Sequence, residues 1–271
     1  MRFDIITIFP GFFDGPLDYG VLRRAREQKV VEVSVQDLRA FTHDRHQTVD
    51  DRPFGGGEGM VLKPQPILEC IESMGISSRE ERLRPHTKES VILLSAQGRL
   101  FHQREAEELA RLDRVVLICG RYDGVDERVN EYIADREISV GDFVLSGGEL
   151  GAAIIVDAVS RLIPGVLGNE ASTRQESFSS TVGAAQDGVP DSTCGSGGLL
   201  DYPHYTRPAE FRGWTVPEVL SSGNHEEIRR WRRRKALEKT LRNRPELLKL
   251  ESLGPEDRQV VEELQQNQRG S

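Results

Sequence analysis

Apolar runs and their period divide residues 1–168 into alternating short strands and helices. Residues 3–9 are apolar, rich in β-branched side chains and stopped by Pro10-Gly11, as in a buried first strand. Residues 19–29 carry helical spacing, and 31–35 alternate apolar with polar like a half-buried strand. Further along, 64–74 predicts a helix, 77–89 a charged connection, and 91–95 a buried strand closed by a turn at Ala96-Gln97-Gly98. Helical spacing returns over 103–112, a strand over 115–118 and a helix over 125–134. A short apolar stretch from residue 137 then enters a loop at Gly147-Gly148, and Ala, Ile and Val at helical spacing leave it over 152–163. This alternation predicts an α/β fold with a mainly parallel sheet. Ligands of such sheets bind beyond the carboxyl ends of the strands.

Two other stretches break the pattern. Residues 42–59 hold His43, His46, Asp44, Asp50, Asp51, Arg45, Arg52 and a glycine cluster with almost no aliphatic residue, the composition of an exposed loop. Its two histidines lack further ligands at set spacing, so a polar loop explains them better than a metal site. Gly55-Gly56-Gly57-Glu58-Gly59 has no Gly-Lys-Ser/Thr ending and no Gly-x-Gly-x-x-Gly spacing, which removes the common nucleotide-binding loops. From 169 to 198 the chain turns to Ser, Thr, Gly, Ala and Asp, a linker by composition. The expected organisation is a domain over 1–168, a linker over 169–200 and a small helical domain over 201–271. In the last, Asn224 with Glu227 resembles a capping box, residues 229–244 hold nine Arg or Lys beside Trp231, and 254–266 complete the domain.

A formal charge of −8 argues against a general polyanion binder but leaves local charge to decide, and the basic helix is a candidate phosphate-binding face. Its bland alternative is a solvated surface helix. Cys70, Cys119 and Cys194 are far apart without metal-ligand spacing, as expected of free thiols in a reducing cytosol. The apolar run at the start is too short for a signal peptide, and none is long enough to span a bilayer, which predicts a soluble, cytoplasmic protein.

Glycines let the backbone approach a ligand with no Cβ in the way, although most glycine pairs only make turns. Here Gly147-Gly148 has a companion, Cys119-Gly120-Arg121-Tyr122-Asp123-Gly124, which also follows a strand. Two such loops at the ends of two strands can line one pocket.

These segments carry a resemblance. Cys119-Gly120-Arg121-Tyr122-Asp123-Gly124-Val125-Asp126-Glu127-Arg128, Gly141-Asp142-Phe143-Val144-Leu145-Ser146-Gly147-Gly148-Glu149 and Ile163-Pro164-Gly165-Val166-Leu167-Gly168 resemble the bacterial tRNA (guanine-N1)-methyltransferases of the TrmD type. So do Phe41-Thr42-His43-Asp44-Arg45-His46, Val49-Asp50-Asp51-Arg52-Pro53-Phe54-Gly55-Gly56-Gly57, Pro203-His204-Tyr205-Thr206-Arg207-Pro208 and Ser222-Gly223-Asn224-His225. The blocks keep their order over about residues 1 to 250.

The resemblance implies S-adenosylmethionine-dependent methylation of N1 of the guanosine at tRNA position 37. It implies a trefoil knot in the C-terminal part of the first domain, an exception to the rule against knots. It also implies a homodimer with composite active sites, in which the linker of one subunit closes over the cofactor of the other, and an assisting magnesium ion held largely by water and substrate. The implied cofactor residues are Leu94, Ser95, Ala96, Gly120, Tyr122, Asp123, Val140, Gly141, Phe143, Leu145, Gly147 and Gly148. The implied RNA-binding residues are Arg52, His204, Tyr205, Arg207, Arg229, Arg230, Trp231 and Arg233. No dedicated metal ligands are expected. Arg161 matches the arginine that acts on the guanine, and Glu176 stands where the family has an aspartate acting as general base, one methylene longer.

Two more positions depart from the family: Asp123 where glutamate is frequent and Ala96 where proline is usual. Residues 179–198 look like an insertion, and its Asp187 and Asp191 are reserve candidates for the base. Two rival readings remain, an RNA-binding relative that has lost catalysis and a knotted methyltransferase with another RNA target.

Overall fold

The computed structural model of the chain describes residues 1–168, 176–179 and 198–269. The chain divides into two compact units, Met1–Gly168 and Asn169–Ser271. In chain order the first unit runs β1 (Arg2–Thr7), α1 (Gly20–Glu27), β2 (Glu32–Asp37), β3 (Asp50–Asp51), β4 (Val61–Leu62), α2 (Pro64–Ser73), α3 (Arg79–Arg82), β5 (Glu89–Leu100), α4 (Gln103–Leu109), β6 (Arg114–Cys119), α5 (Glu127–Tyr132), β7 (Arg136–Ser139) and α6 (Glu149–Ser160). Five of these strands make one sheet in the order β2-β1-β6-β5-β7, with every pairing parallel.

A parallel sheet needs cover on both faces, and the two-residue period of its strands supplies two apolar faces. Phe3, Ile5, Ile92, Leu94, Val115, Leu117, Cys119 and Ile138 pack with Ala25 of α1, Leu109 of α4 and Ile155 and Val159 of α6. Ile6, Val91, Leu93, Val116 and Ile118 pack on the other side with Ile67 and Ile71 of α2 and Val129 of α5. The amino edge of the sheet is closed by ion pairs. Asp4, fully buried, accepts from Arg2 Nη2 at 2.8 Å and from Arg114 Nε at 2.7 Å. Arg82, also buried, donates to Asp135 at 2.8 Å and to the Ile133 carbonyl at 2.6 Å, and Asp135 accepts from the Val91 amide at 2.8 Å.

Local differences from the sequence expectations have identifiable causes. Residues 96–98 do not end the strand: β5 runs on to Leu100 and pairs with β7 in two registers, Leu94 and Arg99 both opposite Ile138. The extra residues form a bulge, and its Gly98 lies so close to β7 that an added Cβ would sit 2.5 Å from the Ile138 nitrogen. Inside the charged connection, Ser78 and Glu81 form a reciprocal capping box that starts α3. The polar loop over 42–59 is not wholly exposed, because Val49 is fully buried and β3 pairs antiparallel with β4. The helix expected over 125–134 starts at Glu127 because the Asp126 carboxylate caps it, accepting from the Arg128 amide at 3.0 Å. Of the linker, 169–175 and 180–197 lie outside the described residues, and so do Asp187, Asp191 and Cys194.

The second unit contains β8 (Glu210–Phe211), β9 (Trp214–Thr215), α7 (His225–Asn243) and α8 (Pro255–Arg269). Leu199, Leu237, Leu253 and Val261 form its core. Asn224 caps α7 through its side chain, accepting from the Glu226 and Glu227 amides, but the capping box is only half made: the Asn224 amide donates to Ser222 Oγ at 3.1 Å rather than to Glu227. The β8–β9 hairpin has no counterpart in the sequence reading.

Candidate active site

The loops that follow β6 and β7 meet the bulge of β5 at the carboxyl edge of the sheet and enclose a cavity of about 220 Å³. Leu94, Ser95, Ala96, Gly120, Tyr122, Asp123, Val140, Phe143, Leu145, Gly147 and Gly148 all line it. Gly141 is the exception among the twelve expected residues. It is packed behind Phe143, whose ring an added Cβ would strike.

Backbone contacts tie the two glycine loops together. The Gly148 amide donates to the Gly120 carbonyl at 2.9 Å, and Arg121 bridges to Gly147 in antiparallel fashion. That closeness requires glycine: a Cβ at Gly148 would lie 2.8 Å from Cys119 Cα and 3.1 Å from the Gly120 nitrogen, atoms of backbone that cannot step aside. Tyr122 adopts φ 59°, an uncommon conformation for a bulky side chain that clusters at functional loops.

Arg121, which lines the cavity, belongs to a polar network absent from the expected residues. Glu149, the first residue of α6, is 2 % exposed. Thr7, at the end of β1, donates to Glu149 Oε1 at 2.7 Å, and Arg121 Nη2 donates to Oε2 at 3.3 Å. The Arg121 guanidinium also stands 4.5 Å over the Phe9 ring, and its Nε is buried with no hydrogen-bond partner. The network joins β1, the loop after β6 and the start of α6. A sequence signal for it existed: a polar Thr inside an apolar strand and a Glu opening an apolar helix.

The glycine-rich segment packs against the loop after β6. The Asp123 amide donates to the Met60 carbonyl at 3.1 Å, and Leu62 exchanges backbone hydrogen bonds with Gly124 and Asp126 at 3.1 and 3.0 Å. Gly59 packs against Asp123 so closely that a Cβ would overlap its carboxylate. Arg52, exposed, follows β3 at the far end of this segment. His43 pairs with Glu69 at 2.8 Å, and among the described residues no three His, Cys, Asp or Glu side chains gather as metal ligands. Cys70 and Cys119 are buried free thiols. Burial, reinforced by Asp4, pushes the Cys70 thiol up to about 12, and burial, reinforced by Glu149, pushes Cys119 up as well. Both stay protonated and inert near neutral pH.

Arg161 closes α6 in the first unit, and Glu176 belongs to the second. Glu176 opens a turn held against the core of that unit: the Phe178 amide donates to the Leu199 carbonyl at 2.9 Å and the Asp201 amide to Ser177 Oγ at 2.8 Å. Arg244 lies 5.8 Å over the Phe178 ring.

The RNA-binding candidates of the second unit are rearranged by their partners. Arg229 and Arg230 pair with Glu226, and Arg233 pairs with Asp257 at 2.7 Å, so the basic helix is partly neutralised. Arg232, absent from the expected residues, instead stacks 4.9 Å over the Tyr202 ring. Tyr202 in turn packs 4.6 Å from His204, whose Nε2 meets Asp201 at 2.8 Å. Tyr205 and Trp231 form a second aromatic pair at 6.3 Å, and Arg207 is exposed. No helix among the described residues is long and apolar enough to cross a membrane.

Comparison with known proteins agrees over the whole chain. It is 64 % identical over 264 residues to a protein of Koribacter versatilis named tRNA (guanine-N(1)-)-methyltransferase, covering 97 % of this chain and 98 % of the relative. Proteins with the same name from Geotalea uraniireducens (98 % of this chain, 97 % of the relative) and Dictyoglomus turgidum (99 % and 98 %) are each 49 % identical. Residues 1–250 match the family described as tRNA (Guanine-1)-methyltransferase TrmD, and the chain belongs to that family.

Proposed function

We propose that this protein methylates N1 of the guanosine at position 37 of tRNA, just 3′ of the anticodon, using S-adenosylmethionine. Family membership and the names of the relatives support the methyl transfer and the tRNA substrate. The observation that carries the reading in this chain is the convergence of three loops on one cavity at the carboxyl edge of a parallel sheet.

The residues fit such a cosubstrate. Gly120, Gly147 and Gly148 let the loops that wall the cavity pack closely on one another, Leu94, Val140 and Leu145 offer apolar walls, and Tyr122 and Asp123 offer polar groups. When bound, S-adenosylmethionine supplies an electrophilic methyl on a sulfonium. The protein's part concerns the acceptor. Guanine N1 carries a proton at neutral pH, so Glu176 takes that proton as general base while Arg161 meets the charge developing on O6. As the family resemblance implies, the reading includes a composite site in a homodimer. It further includes the trefoil knot in the first unit, the second unit as the tRNA-gripping domain and a cytoplasmic setting where tRNA is found. Magnesium finds no cage of protein ligands among the described residues, and no step is assigned to it.

The test is methyl transfer from labelled S-adenosylmethionine to an unmodified tRNA transcript with guanosines at positions 36 and 37. Transfer that disappears when position 37 is changed is the expected result. With Glu176→Gln, kcat is expected to fall about 10²- to 10⁴-fold, the range for loss of a general base. A variant that keeps its rate removes Glu176 from the role. No transfer by the wild type, with cofactor still bound, overturns the enzyme reading in favour of an RNA-binding relative.

A further inference from the structure

The β8–β9 hairpin is short, and two residues of positive φ close it, Arg212 at 54° and Gly213 at 82°, as a two-residue hairpin turn requires. Phe211 and Trp214 stand opposite each other across the strands with ring centroids 5.9 Å apart. Both point into solvent, Phe211 54 % and Trp214 71 % exposed. Arg212 lies over the Phe211 ring, its guanidinium 5.3 Å from the centroid. A bare two-stranded hairpin is marginally stable in water, and large exposed aromatics on one mark a contact surface rather than a core.

We propose that this hairpin is a stacking platform for unpaired bases of the RNA substrate. The proposal rests on the reading of that substrate as tRNA. Aromatic rings combined with an arginine plane are the chemistry that receives splayed bases, because every base has a π-face. Charge favours RNA over a protein partner. Residues 198–269 hold fourteen Lys and Arg against twelve Asp and Glu, whereas residues 1–197 hold 22 against 32. The hairpin also continues the exposed run that contains His204, Tyr205 and Arg207. Bases most available for such stacking are those of a single-stranded loop, and in tRNA these include the anticodon loop.

The chain has two tryptophans, so Trp231→Phe leaves Trp214 as the only indole fluorophore. Adding unmodified tRNA transcript to this full-length variant is expected to quench Trp214 saturably. In the otherwise wild-type protein, Phe211→Ala with Trp214→Ala is expected to raise the Kd for the transcript about five- to 150-fold per stacked base lost. The slope of log Kd against log salt stays unchanged, because no phosphate contact is removed. Phe211→Tyr with Trp214→Phe restores binding, which a hairpin needed only for folding of the unit would not explain for an exposed pair. No quench together with an unaltered Kd overturns the platform. So does a double alanine variant whose main change is loss of subunit association by light scattering, which assigns the surface to a second copy of the chain. Methyl transfer is measured on the same samples. A wild type that transfers methyl while the platform tests fail refutes only the platform, and one that shows quench and binding without transfer refutes only the enzyme reading.

Discussion

Replacing Glu149 by alanine removes the acceptor of two hydrogen bonds at once, from Thr7 at 2.7 Å and from Arg121 at 3.3 Å. Breaking a buried ion pair by deleting one partner costs about 3–5 kcal/mol, because the other charge is left without compensation. Arg121 keeps some solvent, its side chain being 22 % exposed, and it retains the Phe9 ring at 4.5 Å. Its contact to Glu149 is also long. The expected cost is therefore below that range, about 2–3 kcal/mol, with the unpaired Thr7 hydroxyl as a minor part. Tryptophan fluorescence is blind to this change, since Trp214 and Trp231 both belong to the second unit. Cys119 reports it instead. Its thiol is 2 % exposed at the end of β6, close enough to Glu149 to feel its charge. Under native conditions the labelling rate of a buried thiol follows the population of the opened form. A loss of 2–3 kcal/mol raises the rate of Cys119 modification, followed by peptide mass spectrometry, by roughly 30- to 150-fold. Cys70, on the buried side of α2 at the other face of the sheet, serves as the internal control. A Cys119 rate within about threefold of wild type would refute the reasoning, because it would mean the pair contributes no more than an exposed one.

Gly148→Ala places a methyl against backbone atoms of Cys119 and Gly120. The two glycine loops must part, at a cost of about 1–3 kcal/mol, and calorimetry should show weakened S-adenosylmethionine binding. Gly168→Ala, in open space, should leave it unchanged. The Asp126 carboxyl is held below its ordinary range chiefly by the hydrogen bond from Arg128. A lowered folded-state pKa means its stabilisation is fully present above the ordinary carboxylate range and is lost as pH falls through the depressed value. Asp126→Ala should therefore cost about 1 kcal/mol at pH 7, as for a lost helix cap. In urea titrations that difference should shrink in acid, and one that persists undiminished well below the carboxylate range would contradict the assignment.

Most of the sheet was legible because its strands are fully covered and read as apolar runs, such as 91–94 and 115–118. The bulge at 96–98 was not, since it depends on a partner strand some forty residues onward, and periodicity carries no information about pairing. The two glycine loops pointed to a pocket, and the set of residues expected to line it came from the family resemblance. Thr7, Arg121 and Glu149 escaped because a polar Thr in an apolar strand and a Glu opening an apolar helix gain meaning only once the fold brings them together. The basic helix shows the converse case. Its charge run was plain in the sequence, but the carboxylates that neutralise Arg229, Arg230 and Arg233 became visible only with their side chains in place.

The two edges of the central sheet behave as different mechanical parts. At the amino edge, Asp4 binds both Arg2 of β1 and Arg114 of β6, and Asp135 links Arg82 to the start of β5. The strands are thus clamped by ion pairs at one end, while at the other Thr7, Glu149 and Arg121 tie β1 to the loops that carry the cavity. A ligand in the cavity would therefore press on loops at the carboxyl edge while the ion pairs at the amino edge hold the strands in register.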